Sequence, residues 1–159
     1  MTKELNNLYL GIGSNMYPRM FYIYQALNAI EKNIGKIQSI SSIYQTEPWN
    51  MSPDTAFFYN LAVYIKTDLN PNEVLDGIIK IEESLGRSKP KQRNNLYQSR
   101  KIDIDILLYN DVVMNTEDLI IPHPLLHQRL FVLKPLSEIA SEVVHPVFKS
   151  TIVEISMIY

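Results

Sequence analysis

The sequence predicts an α+β fold, an open and mostly antiparallel sheet with helices packed on it. Three observations carry this expectation. Short apolar or alternating runs recur at residues 8–12, 37–46, 57–66 and 102–109, and such runs read as strands. Two longer stretches, opening at Pro18 and at Asn70, space their apolar residues by three and four, as a helix with one buried face does. Their order (strand, helix, strand, strand, helix, strand) is the βαββαβ pattern of a ferredoxin-like sandwich. Two helices would cover one face of the sheet and leave the other to loops or ligand.

Taken in order, the first strand ends where Gly13-Ser14-Asn15 signals a loop. Pro18-Arg19 opens the first helix, Phe21, Tyr24, Leu27, Ile30 and Ile34 give its apolar face, and Gly35 stops it. Residues 37–46 alternate as a second strand, and Pro48, Asn50, Ser52, Pro53 and Asp54 mark the loop after it. The aromatic and β-branched run 57–66 is the third strand, antiparallel to the second. Asn70 can cap the second helix, with Pro71 in its first turn and Glu73 three residues on. Val74, Leu75, Ile78, Ile81 and Leu85 form its stripe and Gly86 ends it. The fourth strand sets Ile102, Ile104 and Ile106 on one side and Lys101, Asp103 and Asp105 on the other. Residues 111–121 suggest a small hairpin and 125–133 a short helix after Pro122-His123-Pro124. The tail from 141 to 159 gives only weak signals.

The length of 159 residues suits one domain spanning 1–159. An apolar fraction of 46% is ample for a core and excludes disorder as the main state. No apolar run approaches the length of a membrane span, and the first seven residues lack a secretory pattern. Cysteine is absent, which excludes thiol catalysis and disulfides and fits the cytoplasm. With a net charge of −2 the chain is not a generic nucleic-acid binder. Charge is unevenly spread, however. Residues 87–101 hold six bases (Arg87, Lys89, Lys91, Arg93, Arg100, Lys101) and no acid. Such a segment repels itself unless an anion neutralises it; by composition alone it is equally a solvated loop.

Asp103 and Asp105, two apart on a strand, project to the same side about 6–7 Å apart. Like charges that close favour a cation between them, and hard oxygen ligands suit Mg²⁺. Alone, such a pair is more simply the acidic outer face of a strand. The adjacent cationic loop favours phosphate chemistry, which needs metal-holding acids and positive side chains on one anion. No Gly-Lys-Ser/Thr loop is present, and Gly11-Ile12-Gly13-Ser14 lacks the third glycine of a dinucleotide fingerprint. His123 lies between two prolines that limit its direction, and Arg129 follows. Singly, these read as a turn histidine and a helix-surface arginine. His127 and His145 receive no role. Trp49, in its Pro-rich loop, could border a flat ligand.

These segments together resemble the 6-hydroxymethyl-7,8-dihydropterin pyrophosphokinase family of the folate pathway. The likeness covers nearly the whole chain. It rests on Gly13-Ser14-Asn15, Ser42-Ile43-Tyr44-Gln45-Thr46-Glu47-Pro48, Phe58-Tyr59-Asn60, Ile81-Glu82 with Gly86-Arg87, Arg100-Lys101-Ile102-Asp103-Ile104-Asp105-Ile106-Leu107, and Ile121-Pro122-His123-Pro124 with Arg129-Leu130-Phe131. The resemblance implies a Mg-dependent 2-amino-4-hydroxy-6-hydroxymethyldihydropteridine diphosphokinase, which moves pyrophosphate from ATP to the pterin hydroxymethyl group and releases AMP. By the same resemblance Asp103 and Asp105 hold two Mg²⁺ ions. Arg87, Arg100, His123 and Arg129 contact phosphate and are the catalytic set. With Glu82 and Ile106 they bind the nucleotide. Thr46, Pro48, Trp49, Phe58, Asn60 and Phe131 bind the pterin, and the segment after Gly86 closes over the nucleotide. The expected partners are these small molecules, with no nucleic acid, membrane or obligate protein partner. The chain departs from the family in having Tyr97-Gln98-Ser99 before Arg100 and Pro124 after His123.

Overall fold

The computed structural model describes residues 3–47, 56–87 and 100–158. Strand β1 (Asn6–Ser14) leads into helix α1 (Arg19–Asn33), then β2 (Lys36–Ile40), β3 (Tyr44–Thr46) and the long β4 (Phe58–Thr67). Helix α2 (Pro71–Ser84) follows, then β5 (Asp103–Tyr109), the short pair β6 (Met114–Asn115) and β7 (Ile120–Ile121), α3 (Leu130–Ala140) and α4 (Ile152–Ile158). The main sheet runs β2-β4-β1-β5, with β3 also paired to β4. Every pairing in it is antiparallel.

Alternation along the strands divides the residues between two faces. Leu8, Leu10 and Ile12 of β1, Leu61, Val63 and Ile65 of β4, and Ile104 and Ile106 of β5 face α1 and α2. They pack with Ile23 and Ile30 of α1 and Val74, Ile78 and Ile81 of α2. Each such side chain taken from water is worth about 1.5–3 kcal/mol, so this layer is the main store of stability. Helix α2 starts where the sequence places it. Asn70 Oδ1 accepts from Glu73 N at 2.9 Å, and Glu73 Oε2 accepts from Asn70 N at 2.8 Å.

The other face is more covered than the sequence suggests. Tyr9, Ala62, Leu107 and Leu108 form a second apolar cluster with Leu126, Val132, Leu133 and Leu136, and Ile152 and Ile155 join it. An irregularity in the β1–β5 ladder shifts the register from Tyr9↔Leu108 to Leu10↔Ile106. The extra residue, Leu107, lets two successive leucines of β5 be buried.

Two expectations are corrected. The predicted strand 37–46 is two strands, because the chain leaves the ladder at Ser41–Ile43 before β3 rejoins β4. The helix expected at 125–133 is a 3₁₀ turn at Leu126–Gln128 followed by α3, which runs on to Ala140 with Pro135 inside it. The tail holds a bridge between Val144 and Thr151, then α4. The hairpin at 111–121 is present as β6 and β7. Among the described residues no helix is long and apolar enough to cross a membrane.

Candidate active site

Strand β5 continues the alternation read from its sequence. Its isoleucines point into the α1/α2 core, which turns Asp103 and Asp105 toward the α3 side. Gly13 and Gly11 of β1 lie opposite Asp103 and Asp105, and Gly13 also lies opposite Asn60 of β4. These residues line a recess closed by Phe131 and Val132 at the start of α3. A Cβ at Gly13 would stand 2.6 Å from Asn60 Oδ1, so any side chain there would displace Asn60. Asn60 in turn donates from Nδ2 to Thr46 Oγ1 at 2.6 Å. Phe58, two residues from Asn60, lies beside Gly13.

The cations converge on the aspartates. Arg87 Nη1 donates to Asp103 Oδ1 at 2.9 Å, and Arg100 Nη1 pairs with Asp103 Oδ2 at 2.9 Å. Arg87 also pairs with Glu82 Oε2, whose carboxylate accepts from Ile104 N at 3.3 Å as well. The last turn of α2 thus orients Arg87 toward the acidic strand. Arg100 is fixed through its main chain: its N donates to Asn15 Oδ1 at 2.7 Å, and Asn15 N donates to its carbonyl at 3.1 Å.

Burial, and next the charge of Asp103, push the Asp105 carboxyl up to about 7 against the opposing pull of Arg129, Arg100 and Arg87. A carboxyl so perturbed beside a specific charge partner favours a bound cation. Among the described residues no group of three or more His, Cys, Asp or Glu side chains is arranged to hold an ion. Asp103 and Asp105 themselves offer carboxylate oxygens to the recess, a donor chemistry that suits a hard cation keeping water and ligand oxygens for its other positions.

His123 is half-buried and accepts from Leu125 N through Nδ1 at 3.1 Å. Burial, reinforced by Arg129, lowers it to about 4 against the pull of Asp103. It is neutral at physiological pH, and the accepting Nδ1 leaves the proton on Nε2. Arg129 is 5% exposed, and its guanidinium lies 5.5 Å from the Phe131 ring centroid.

Phe131 borders a second space as well. A slot between β3 and α3 is lined by Tyr44, Thr46 and Glu47 on one side and Leu130, Phe131 and Lys134 on the other. The structure thus gathers Asp103, Asp105, Arg87, Arg100, Glu82, Asn60, Thr46, Phe58 and Phe131 around the recess and slot, with His123 and Arg129 within their electrostatic reach. Ile106 is the exception: its side chain is 5% exposed and packs in the α1/α2 core, so it does not face the site. Pro48, Trp49 and residues 88–99, where the closing segment was expected, lie outside the described residues. Sequence reasoning missed the slot residue Lys134, which lies one helical turn from Leu130 on α3, and gave Tyr44, Glu47 and Leu130 only as parts of motifs.

A model of the family described as 7,8-dihydro-6-hydroxymethylpterin-pyrophosphokinase matches residues 9–141. The chain is 42% identical over 141 residues to the 2-amino-4-hydroxy-6-hydroxymethyldihydropteridine pyrophosphokinase of Bacillus subtilis (strain 168), covering 87% of this chain and 81% of that protein. It is 40% identical over 147 residues to the protein of the same name from Aquifex aeolicus (strain VF5), covering 92% and 88%. Among solved structures, wild-type Plasmodium falciparum HPPK-DHPS with pteroate superposes with a TM-score of 0.81 at 20% identity. That match covers all of this chain but 45% of the malarial one, so it is a likeness of fold to part of a longer protein.

Proposed function

The chain belongs to the 7,8-dihydro-6-hydroxymethylpterin-pyrophosphokinase family, and from that membership we infer how its residues carry out the family's reaction. It transfers pyrophosphate from ATP to 6-hydroxymethyl-7,8-dihydropterin, giving AMP and the pterin diphosphate of folate synthesis. One observation carries the assignment of the site: two strand carboxylates bracketed by Arg87 and Arg100 adjoin an aromatic-bordered slot, with Phe131 common to both.

In this reading the pterin occupies the slot, between Thr46, Asn60 and Phe131, with Phe58 beside them. Its hydroxymethyl oxygen points toward the recess. Asp103 and Asp105 are the residues that would hold Mg²⁺, as two ions, on the recess side where the polyphosphate would bind. When bound, the metal neutralises phosphate charge and polarises the reacting oxygens. Arg87 and Arg100 carry the positive charge that the polyphosphate meets, and Glu82 keeps Arg87 aimed at it. Neutral His123 donates from Nε2 without adding charge, and Arg129 adds charge from a buried position. Catalysis on this geometry is alignment of the hydroxyl with the β-phosphorus plus charge neutralisation. No side chain is assigned as general base.

The sheet order and connecting helices are read as a ferredoxin-like core extended by α3 and α4, within one domain over residues 1–159. The cysteine-free composition supports a cytoplasmic setting. The decisive assay is AMP release from ATP that requires both Mg²⁺ and hydroxymethyl-dihydropterin. Release of ADP would assign a simple kinase, and ATP loss without pterin a phosphohydrolase.

A further inference from the structure

Glu138 lies two turns along α3 from Leu130 and one turn from Lys134, on the same side of the helix. Its carboxylate reaches across to the edge of the sheet. Oε1 accepts from Ser42 N at 3.0 Å and from Ser42 Oγ at 2.7 Å, and Oε2 accepts from the Tyr44 hydroxyl at 2.8 Å. Ser42 belongs to the short break between β2 and β3, and Tyr44 is the first residue of β3. The neighbouring Ser41 fastens the same break to β4, donating from N to the Ala62 carbonyl at 2.9 Å and accepting from Ala62 N through Oγ at 2.8 Å.

This matters because β3 is three residues long and forms one wall of the slot. Tyr44 both lines the slot and bonds Glu138, while Leu130, Phe131 and Lys134 of the opposite wall share a helix with Glu138. We propose that Glu138 is a positioning residue for the pterin: by tying β3 to α3 it sets the spacing between the two walls that hold the ring. This rests on the reading of the slot as the pterin site. The contacts are solvent-exposed, so they add little to global stability. Three donors on one carboxylate nevertheless fix geometry, since charge-assisted hydrogen bonds are short and directional. The Ser42 hydroxyl, followed by the Tyr44 hydroxyl, holds the Glu138 carboxyl below its usual range, and the bond to Glu138 raises the Tyr44 phenol.

The test compares Glu138→Gln, Glu138→Ala, Tyr44→Phe and Phe131→Ala by steady-state kinetics, direct pterin binding and thermal melting. Glu138→Ala should raise the pterin KM roughly five- to tenfold, as misplacement of a bound reactant does. The ATP KM should stay within about twofold, kcat should fall less than KM rises, and the melting temperature should hardly move. Glu138→Gln, which keeps acceptor capacity, should fall between Ala and wild type, and should add less in the Tyr44→Phe background than alone. An unchanged pterin KM in Glu138→Ala, or an equal rise for ATP, overturns the proposal. Should Glu138→Ala fail to fold, Glu138→Gln and Tyr44→Phe decide by the same criteria. Phe131→Ala separates the two readings: if it leaves pterin binding intact, the slot reading falls and takes the proposal with it. If it weakens binding while the Glu138 variants do not, only the Glu138 proposal falls.

Discussion

Asp103 receives two guanidinium groups and Asp105 resists ionisation, although the two are neighbours on one strand. Asp103 is the electrostatic anchor of the arginines, while Asp105 lies where burial makes its charge costly, a cost that the proposed cation would offset. Replacing either by alanine should lower kcat by about 100-fold or more, since each contributes half of the proposed carboxylate set. Folding should survive, because the side chains of Asp103, Arg87 and Arg100 are each about one-fifth exposed and Arg87 keeps Glu82. Turnover at saturating Mg²⁺ together with a melting curve checks this; a variant near wild-type turnover would remove metal ligation from Asp103 or Asp105. The aspartates were legible because period-two alternation depends on nothing outside the strand. Gly13 was legible only as a loop signal, since its close approach to Asn60 joins residues 47 positions apart. Ile106 shows the reverse: its alternation already placed it with the core isoleucines, and only resemblance put it at the nucleotide.

Among the elements, α2 was the most legible because its start signals are local. Asn70, Pro71 and Glu73 close the reciprocal cap anticipated for them. Asn70→Ala should therefore cost about 1 kcal/mol, a fall in melting temperature of roughly 2–4 °C for a chain of this size. Substrate KM values should not change, because the cap is at the opposite end of the helix from Glu82. Urea and thermal melts beside the AMP-release assay would test this, and a KM shift without a stability loss would contradict it. Helix α3 was the least legible. Proline removes a helical donor and crowds the preceding turn, yet Pro135 lies buried within Leu130–Ala140. Burial of Val132, Leu133 and Leu136 against the sheet offsets that local cost. Tertiary packing of this kind leaves no signal at sequence spacing. The break between β2 and β3 has the same origin, since Ser41 and Ser42 find partners on β4 and α3.

For the whole molecule, the sheet has a storage face and a working face. The α1/α2 side is continuously apolar, whereas the α3/α4 side divides between packing and the recess. The two clusters share the same strands, so the tail that completes the second one supports the working side. His145 secures that tail. It is 3% exposed, stacks on Phe148 at 4.3 Å, and its Nδ1 accepts from Val147 N and Phe148 N at 3.2 and 3.1 Å. Only the neutral ring can accept there. Burial, with His127 second, lowers His145 below its ordinary value. Above the unfolded value of about 6.5 both states are neutral and the contribution to stability is whole. As pH falls below that value the unfolded chain takes up a proton first, and stability is lost until the lower folded value is passed. His145→Asn keeps an acceptor but cannot titrate, so it should melt below wild type at pH 8, through loss of the Phe148 stack, with the gap narrowing toward pH 5. His123 is lowered in both proteins and cancels in the difference. Paired melting curves across that range measure the gap directly, and a gap constant with pH would mean that His145 is not held neutral by the fold.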